Sequence, residues 1–395
     1  MAHSTWFCYS GWRLFYLFPI HPTYLRILLT MSKNGFVLIL SVMALYGCQS
    51  TFGPSALENT HPAYNQAIAT SIDQQMLLNL VRLKYGDSPY FLDVGSVTAS
   101  LALTGSVGVE SSSNLDDGIN IIQPNIGVEY VDRPTISYSP LHGEDFLKSV
   151  LSPLPLESIL VMTQSGWSIE RVFAVTIERI NDLHNAPRAS GPTPEREPQY
   201  KEFKRLLYLL RDLQNENLIE IGPALALDKN SSDLVILLNT EPAHQTTIDE
   251  INLLLGIVGE KQTNRFKIST NFLDKTSDKW NVRPRSIASV LFYLSQNVEI
   301  PQEHFDAGLV TRTRTKDGKP FDWHDTPAGI VFQVKSSKTK PSNAYLSIPY
   351  RGRWFYILDN DLQSKSTFML VEQLFNLQAG QRKVSGPTLT LPVNR

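Results

Sequence analysis

The hydrophobic pattern of the chain changes its period near Tyr90, and this change restricts the fold more than any other feature. Before Tyr90, apolar residues recur every three or four positions, which predicts one helix that Gly86 can end; they are Ile68, Ile72, Met76, Leu80 and Leu83. After it, Val97, Ala99, Leu101 and Leu103 alternate with Thr98, Ser100, Ala102 and Thr104, which is the period of a strand. A second alternating run, residues 119–130, follows a polar turn region, residues 110–118. We therefore predict a long β-hairpin, which either covers a helix or projects to meet another protein.

The remaining patterns alternate irregularly between helix and strand, without a βαβ rhythm. Residues 144–151 predict a helix, the apolar residues 156–162 a strand, and Ser168 the cap of a helix that reaches Ile180. Pro284 fits the first turn of a later helix, and residues 331–334 with 344–358 predict a terminal hairpin. The expected fold class is therefore α+β, with helices interspersed with β-hairpins.

A Pro-rich segment, residues 186–199, is the best internal boundary. It contains four prolines and no aromatic residue, so it cannot bury enough surface to order itself alone. The chain of 395 residues is long enough for two subdomains after a cleaved signal peptide. We expect an N-terminal α+β domain at 63–185, a linker at 186–199, a C-terminal α+β domain at 200–380 and a tail at 381–395.

An apolar run of about ten residues, from Phe36 to Leu45, precedes Tyr46, Gly47 and Cys48. It is too short to cross a bilayer, which takes ~20 residues, and it has the length of a signal-peptide core, residues 31–47. Leu45, Tyr46, Gly47 and Cys48 resemble a bacterial lipobox, although Tyr46 stands where a small residue is usual. The resemblance implies cleavage before Cys48 and a fatty-acylated lipid anchor on Cys48. Gly53, Pro54 and Pro62 then indicate a short lipidated tether at 48–62.

The first 30 residues contain Pro19 and Pro22 within aromatic and apolar stretches, which argues against a second helical span. A well-formed signal begins at Met31, so we expect synthesis to start there and residues 1–30 to be non-native. An uncleaved N-terminal anchor helix is the alternative. The chain has two cysteines, Cys8 and Cys48, so the processed body would have neither an internal disulfide nor a cysteine zinc site.

A search for catalytic motifs finds no nucleophile elbow, phosphate loop, zinc-binding HExxH or CxxC motif. Residues 322–325, with His304 and Asp306 before them, could supply acid–base chemistry or form a plain turn. Asp359 and Asp361 could bind calcium or cap the last helix. The sequence therefore predicts no catalytic residue, no metal site and no cofactor.

The segment YRGRWFYIL, Tyr350 to Leu358, has the most distinctive chemistry of the chain. As one strand, it would place Tyr350, Trp354 and Tyr356 on one face, opposite Arg351 and Arg353. Tyr, Trp and Arg are enriched at binding hot spots, although aromatic residues in strands commonly pack in a core. The candidate binding residues are Arg351, Arg353, Trp354 and Tyr356.

Three segments resemble a family of uncharacterised lipoproteins from Gram-negative bacteria: residues 74–97, 133–146 and 350–368. The resemblance implies an envelope location and no activity. Gln49 after Cys48 favours the outer membrane, facing the periplasm. The net charge of −2 argues against nucleic-acid binding.

We therefore expect a non-enzymatic scaffold or accessory protein, held at the membrane by its lipid and bound to another envelope protein. The alternatives are a hydrolase around His304 and His324, and a module that binds lipid, glycan or peptidoglycan through the YRGRWFYIL segment.

Overall fold

The computed structural model describes residues 54–113, 120–223, 234–239, 242–257, 264–273 and 279–379. Over these residues it contains ten α-helices and three sheets, which confirms the α+β class. The chain divides into two compact units, Met1–Ala67 and Ile68–Arg395. The predicted extension, signal peptide, lipobox and tail lie outside the described residues. None of the helices in the described ranges is long and apolar enough to cross a membrane.

The first described helix, α1, extends over Pro54–Lys84, and its predicted stripe includes the buried residues Met76, Leu80 and Leu83. Gly86 follows its end with a φ of +75°, as the stop signal predicts. The prediction of a tether up to residue 62 is wrong from Pro54 onward. Pro54 occupies the first helical position, where a missing N–H is tolerated, and Pro62 lies inside the helix.

The predicted hairpin is confirmed. Strand β1, Leu92–Ser113, pairs antiparallel with β2, Asn120–Pro140, from Leu92 opposite Pro140 to Ser113 opposite Asn120. A register shift between Val94 and Ser96 is the only irregularity of this pairing. At about 3.3 Å per residue, each strand is about 70 Å long.

The segment after the hairpin corrects two predictions. Helix α2, Glu144–Leu151, forms as expected, but residues 156–162 belong to helix α3, Leu156–Gln164, and not to a strand. Helix α4 covers only Ile169–Thr176, and the chain continues as strand β3, Ile177–Ile180. Short apolar runs fit both periods, and here tertiary packing decides between them.

The larger unit contains a six-stranded sheet. Its strands are β3, β4 (Leu183–His184), β5 (Ile219–Pro223), β6 (Leu234–Leu238), β7 (Arg265–Ser269) and β8 (Lys279–Pro284), in the order β4-β3-β8-β7-β6-β5. The β7–β8 pair is parallel, and the other pairs are antiparallel. Helices α5 (Lys201–Asn215) and α6 (Gln245–Leu254) lie between these strands in sequence.

The Pro-rich segment predicted as a linker lies inside this unit. Strand β3 precedes it and β8 follows it, yet the two strands pair with each other. The hydrophobic core likewise contains residues from both sides, such as Val172 and Phe203. The segment itself forms a 3₁₀ turn, Pro187–Ser190, in which Ala189 is buried. Residues 186–199 therefore connect two parts of one sheet and one core.

The C-terminal part brings further helices against this core. They are α7 (Ile287–Ser295), α8 (Gln302–Asp306), α9 (Pro327–Val331) and α10 (Leu362–Ala379). Pro284 ends β8, and Ser286 caps α7, so the helix predicted to start at Pro284 begins later. A three-stranded sheet has the order β10-β11-β9, with β9 at Lys335–Ser337, β10 at Ala344–Tyr350 and β11 at Arg353–Leu358. The terminal hairpin at 344–358 is confirmed, whereas Val331 belongs to α9.

Candidate functional site

The YRGRWFYIL segment is a hairpin turn and not one continuous strand. Arg351 and Gly352 both adopt positive φ angles, of 47° and 76°, which is the geometry of a two-residue type I′ turn. Tyr350 and Arg353 therefore face each other across the β10–β11 pair. The left-handed conformation of a residue other than glycine costs about 1 kcal/mol, so contacts of Arg351 must offset this strain.

Asp87, just after the end of α1, provides those contacts. Its Oδ2 accepts hydrogen bonds from the Tyr350 hydroxyl and, at 2.9 Å, from Arg351 Nη2. These two donors hold the pKa of the Asp87 carboxyl below its usual range, Tyr350 having the larger effect. The Arg351 guanidinium also lies 5.3 Å from the ring centre of Tyr85. The positive charge of Arg351 therefore interacts with Asp87 and Tyr85 of the same protein, and these contacts hold the β10–β11 turn against the end of α1.

Arg353 is engaged in the same way on the other side of the turn. Its guanidinium donates to the Glu303 carboxylate of α8, with Nε 2.7 Å from Oε1, and this bond lowers the pKa of Glu303. The next residue of α8, His304, is buried and shares a hydrogen bond of 2.6 Å between its Nδ1 and the Tyr85 hydroxyl. Burial raises the pKa of Tyr85 to about 12, so its phenol stays protonated at neutral pH.

Lys84, which precedes Tyr85, lies in the core. Its side chain is buried, and Nζ donates to Gln296 Oε1 at 3.0 Å and to the Gln296 carbonyl at 3.4 Å. Within the described residues, no carboxylate lies within salt-bridge distance of Nζ. Burial lowers the pKa of Lys84 to about 7. The amine is enclosed by protein groups, so the geometry gives it a structural role and no access to a substrate.

The aromatic candidates lie in a different setting from the arginines. Trp354 and Tyr356 are half-buried and alternate along β11 with Phe355 and Ile357, which are fully buried. The Lys340 ammonium lies 5.5 Å from the ring centre of Trp354. Trp354 therefore stays outside the core, and the four predicted binding residues do not form one surface: the arginines bind carboxylates of the chain, while the two rings remain accessible.

The two histidines of the alternative hydrolase site make separate contacts. His304 contacts Tyr85, whereas His324 Nδ1 lies 2.8 Å from Asp322 Oδ1 in the 3₁₀ turn Trp323–Asp325. Trp323 is buried, and its indole N–H donates to Thr313 at 3.2 Å, which fits the plain-turn interpretation.

Of the two alternatives for Asp359 and Asp361, calcium binding or a helix cap, the structure shows the cap. Asp361 Oδ1 accepts from the Ser364 N–H at 3.0 Å at the start of α10, and Asp359 pairs with Lys365. Over the described ranges, no group of three or more His, Cys, Asp or Glu residues is arranged to hold a metal ion.

Sequence reasoning missed the partners of the arginines. Lys84, Tyr85 and Asp87 lie within the segment 74–97 that carries the family resemblance, but their neighbours come from more than 200 positions later in the chain. The one available signal was the density of charged and aromatic residues on both sides of the helix stop at Gly86. Such a signal cannot assign partners, because the pairing depends on how α8 and the β10–β11 turn pack against α1.

The lipobox residues Leu45, Tyr46, Gly47 and Cys48 lie outside the described residues, so the lipid anchor stays a prediction. Comparison of the whole chain with protein-family models, with curated proteins and with solved structures gave no match. The resemblance to Gram-negative lipoproteins likewise stays a prediction.

Proposed function

We propose that the chain is a non-enzymatic scaffold or accessory protein of the bacterial envelope, anchored by lipid on Cys48 at the periplasmic face of the outer membrane. The long β1–β2 hairpin is the element that meets another envelope protein. The support is twofold: the leader and lipobox of the sequence, and a hairpin whose strands pair with nothing else in the described part of the chain.

The hairpin is the observation that carries the proposal. Its strands have 22 and 21 residues, whereas a typical strand has five or six. A two-stranded ribbon exposes unpaired N–H and C=O groups along both edges and is at best marginally stable alone in water. Those edges can accept a further strand, a recognised mode of protein–protein binding that uses backbone hydrogen bonds.

The base of the hairpin is firmly held by the core. The Leu92 N–H donates to Gln75 Oε1 at 2.9 Å, and the Leu141 N–H donates to the Phe91 carbonyl at 2.9 Å. Phe91 itself is buried, with its ring centre 4.8 Å from that of Phe375 on α10. The ribbon is thus fixed at one end, as a recognition arm must be if it is to present its edges in a defined direction.

The hairpin can be shortened without disturbing this base. Val94 pairs with Tyr138, so residues 95–137 can be replaced by Asn-Gly, which forms a two-residue turn. We expect the shortened, lipidated protein to keep the thermal midpoint of the wild type but to lose its crosslinked partner in intact cells. Leu253→Ser, at a 75% exposed position of α6, is the control and should retain the partner.

Three results would contradict the proposal. The first is recovery of the same partner with the shortened hairpin, and the second is a wild-type protein that crosslinks to no protein. The third is a lower thermal midpoint of the shortened form, because it would show that the hairpin belongs to the folding unit and is not a recognition arm.

A glycan- or peptidoglycan-binding role is the second candidate, because Trp354 and Tyr356 remain accessible on β11. The arginines are committed to Asp87 and Glu303, so this role would rest on the two rings. Trp354→Ala should then abolish co-sedimentation with purified peptidoglycan while Arg351→Ala leaves it intact; equal binding by all three proteins would exclude this role.

A further inference from the structure

A cavity of about 820 Å³ opens between the Pro-rich segment and the loop at residues 311–318. Its volume lies within the range of small-molecule sites, roughly 300–1,000 Å³. Five cationic side chains line it: Arg188, Arg196, Arg312, Arg314 and Lys316. Only two carboxylates, Glu195 and Glu197, line the same space, so the lining has an excess of three positive charges.

Backbone hydrogen bonds fix the two walls of this cavity against each other. The Arg314 N–H donates to the Glu195 carbonyl at 2.8 Å, and the Glu197 N–H donates to the Arg314 carbonyl at 2.9 Å. The Thr313 hydroxyl donates to the Pro194 carbonyl at 2.6 Å and accepts from the buried Trp323 indole at 3.2 Å. The cationic side chains thus project from a preorganised frame, which reduces the entropy that a ligand must overcome.

The cations of the cavity differ from other arginines of the protein in lacking carboxylate partners. Elsewhere, Arg205 pairs with Glu250, Arg211 with Glu170 and Arg353 with Glu303. Among the described residues, none of the five cavity cations lies within salt-bridge distance of a carboxylate.

Two of these arginines are nevertheless oriented by neutral groups. Arg312 donates to Gln302 Oε1 at 3.1 Å and lies 4.2 Å from the ring centre of Phe305, and Arg314 donates to the Gly318 carbonyl at 2.9 Å. Neither guanidinium has a described carboxylate within salt-bridge distance, so an anion entering the cavity would meet cations already held in place.

We propose that this cavity binds an anionic ligand that carries about two closely spaced phosphate groups. The guanidinium fork matches phosphate oxygens in pairs, and the lining holds four such forks. A phosphate monoester has a charge of about −1.5 to −2 at pH 7, so about two of them balance the excess of three positive charges. The phosphates can belong to a lipid headgroup or to a soluble molecule, because both present the same chemistry to the arginines.

Arg196 and Lys316 are the best positions for a test. Both are exposed and neither makes a side-chain hydrogen bond or ion pair with another described residue, so their removal should leave the fold intact. The matched control is Lys338→Ser with Lys340→Ser, which removes the same charge from exposed lysines outside the cavity lining.

The probe is inorganic pyrophosphate, titrated by calorimetry into the full chain in nonionic detergent at 0.15 M NaCl. We expect saturable 1:1 binding to the wild type and to the control. The Arg196→Ser, Lys316→Ser double variant should bind at least about tenfold more weakly, the loss expected for one charge-assisted hydrogen bond. Unchanged thermal midpoints in both variants would show that the comparison is between folded proteins.

The source of the phosphates is distinguished by competition. A lipid headgroup is indicated if detergent micelles containing cardiolipin displace pyrophosphate and micelles containing phosphatidylcholine do not. A soluble ligand is indicated if neither kind of micelle displaces pyrophosphate. The proposal is overturned if the wild type binds no pyrophosphate, or if the double variant and the control weaken binding equally, which would mean a nonspecific effect of net charge.

Discussion

Replacement of Lys84 by methionine should stabilise the protein, and by an amount that depends on pH. Burial lowers the pKa of Lys84 from 10.5 to about 7, because the charged amine loses its hydration and gains only the carbonyl oxygens of Gln296. At 1.36 kcal/mol per pKa unit, this difference opposes folding by about 5 kcal/mol when the amine is protonated in both states.

The pH window follows from the sign of the shift. Between pH 7 and 10.5 the unfolded chain holds the Lys84 proton and the folded protein does not, so the free energy of unfolding rises with pH. Below pH 7 both states are protonated, and the full penalty applies. Removing the amine also leaves the Gln296 oxygens without this donor, which costs about 1–2 kcal/mol.

The expected result is a free energy of unfolding higher by about 3 kcal/mol in Lys84→Met at pH 6, falling to about zero at pH 10. Urea titrations of wild type and variant, followed by circular dichroism at both pH values, measure this difference. Lys338→Met, at an exposed lysine, is the control and should change little at either pH. The reasoning is refuted if Lys84→Met destabilises the protein at pH 6, or if its effect is the same at pH 10.

Three further outcomes are expected. Metabolic labelling with a fatty acid should be lost in Cys48→Ser, and label retained by this variant would exclude the lipid anchor. In Gly329→Ala, the new Cβ would lie 2.2 Å from the Trp323 carbonyl oxygen, so the free energy of unfolding from thermal denaturation should fall by ~2–3 kcal/mol. In the control Gly191→Ala, the new Cβ meets no atom within 4 Å, so the free energy of unfolding should hardly change. Burial raises the pKa of Glu372 to about 8, so the free energy of unfolding of the wild type should fall as the pH rises from 4.5 to 8. In Glu372→Gln this fall should be less steep, and equal slopes in the two proteins would exclude the contribution of Glu372.

The existence and type of some elements followed from local pattern alone. The hairpin was evident from alternation, because each strand has its own period-two pattern and the polar segment between the two patterns predicts the turn. The cap at Asp361 was also readable, because a capping side chain bonds a backbone N–H three positions away. Such features depend on neighbours in sequence, and so the sequence contains what is needed to predict them.

Other elements depended on distant partners. The apolar residues 156–162 fit a strand as well as the helix α3 that they form, and Ile177–Ile180 left the predicted helix because β8 offers them a strand partner. The prolines of residues 186–199 indicated a linker. Backbone hydrogen bonds to Arg314, and the Thr313 hydroxyl that donates to the Pro194 carbonyl, nevertheless build this segment into the fold. Propensity is a weak prior, and tertiary contacts override it in short segments.

For the candidate sites too, some features follow from local sequence and others depend on distant partners. By itself, the sequence determined the α+β class, the hairpin and the residue types that could bind a ligand, because these follow from periodicity and side-chain chemistry. Only the tertiary structure decided which cations are paired: it placed Arg351 against Asp87 and Arg353 against Glu303, and it left the cations around Arg196 and Lys316 facing a cavity. The physical reason is that charge pairing acts over a few ångströms in space, and residues separated by 50 or 264 positions reach that distance only when the core brings their elements together.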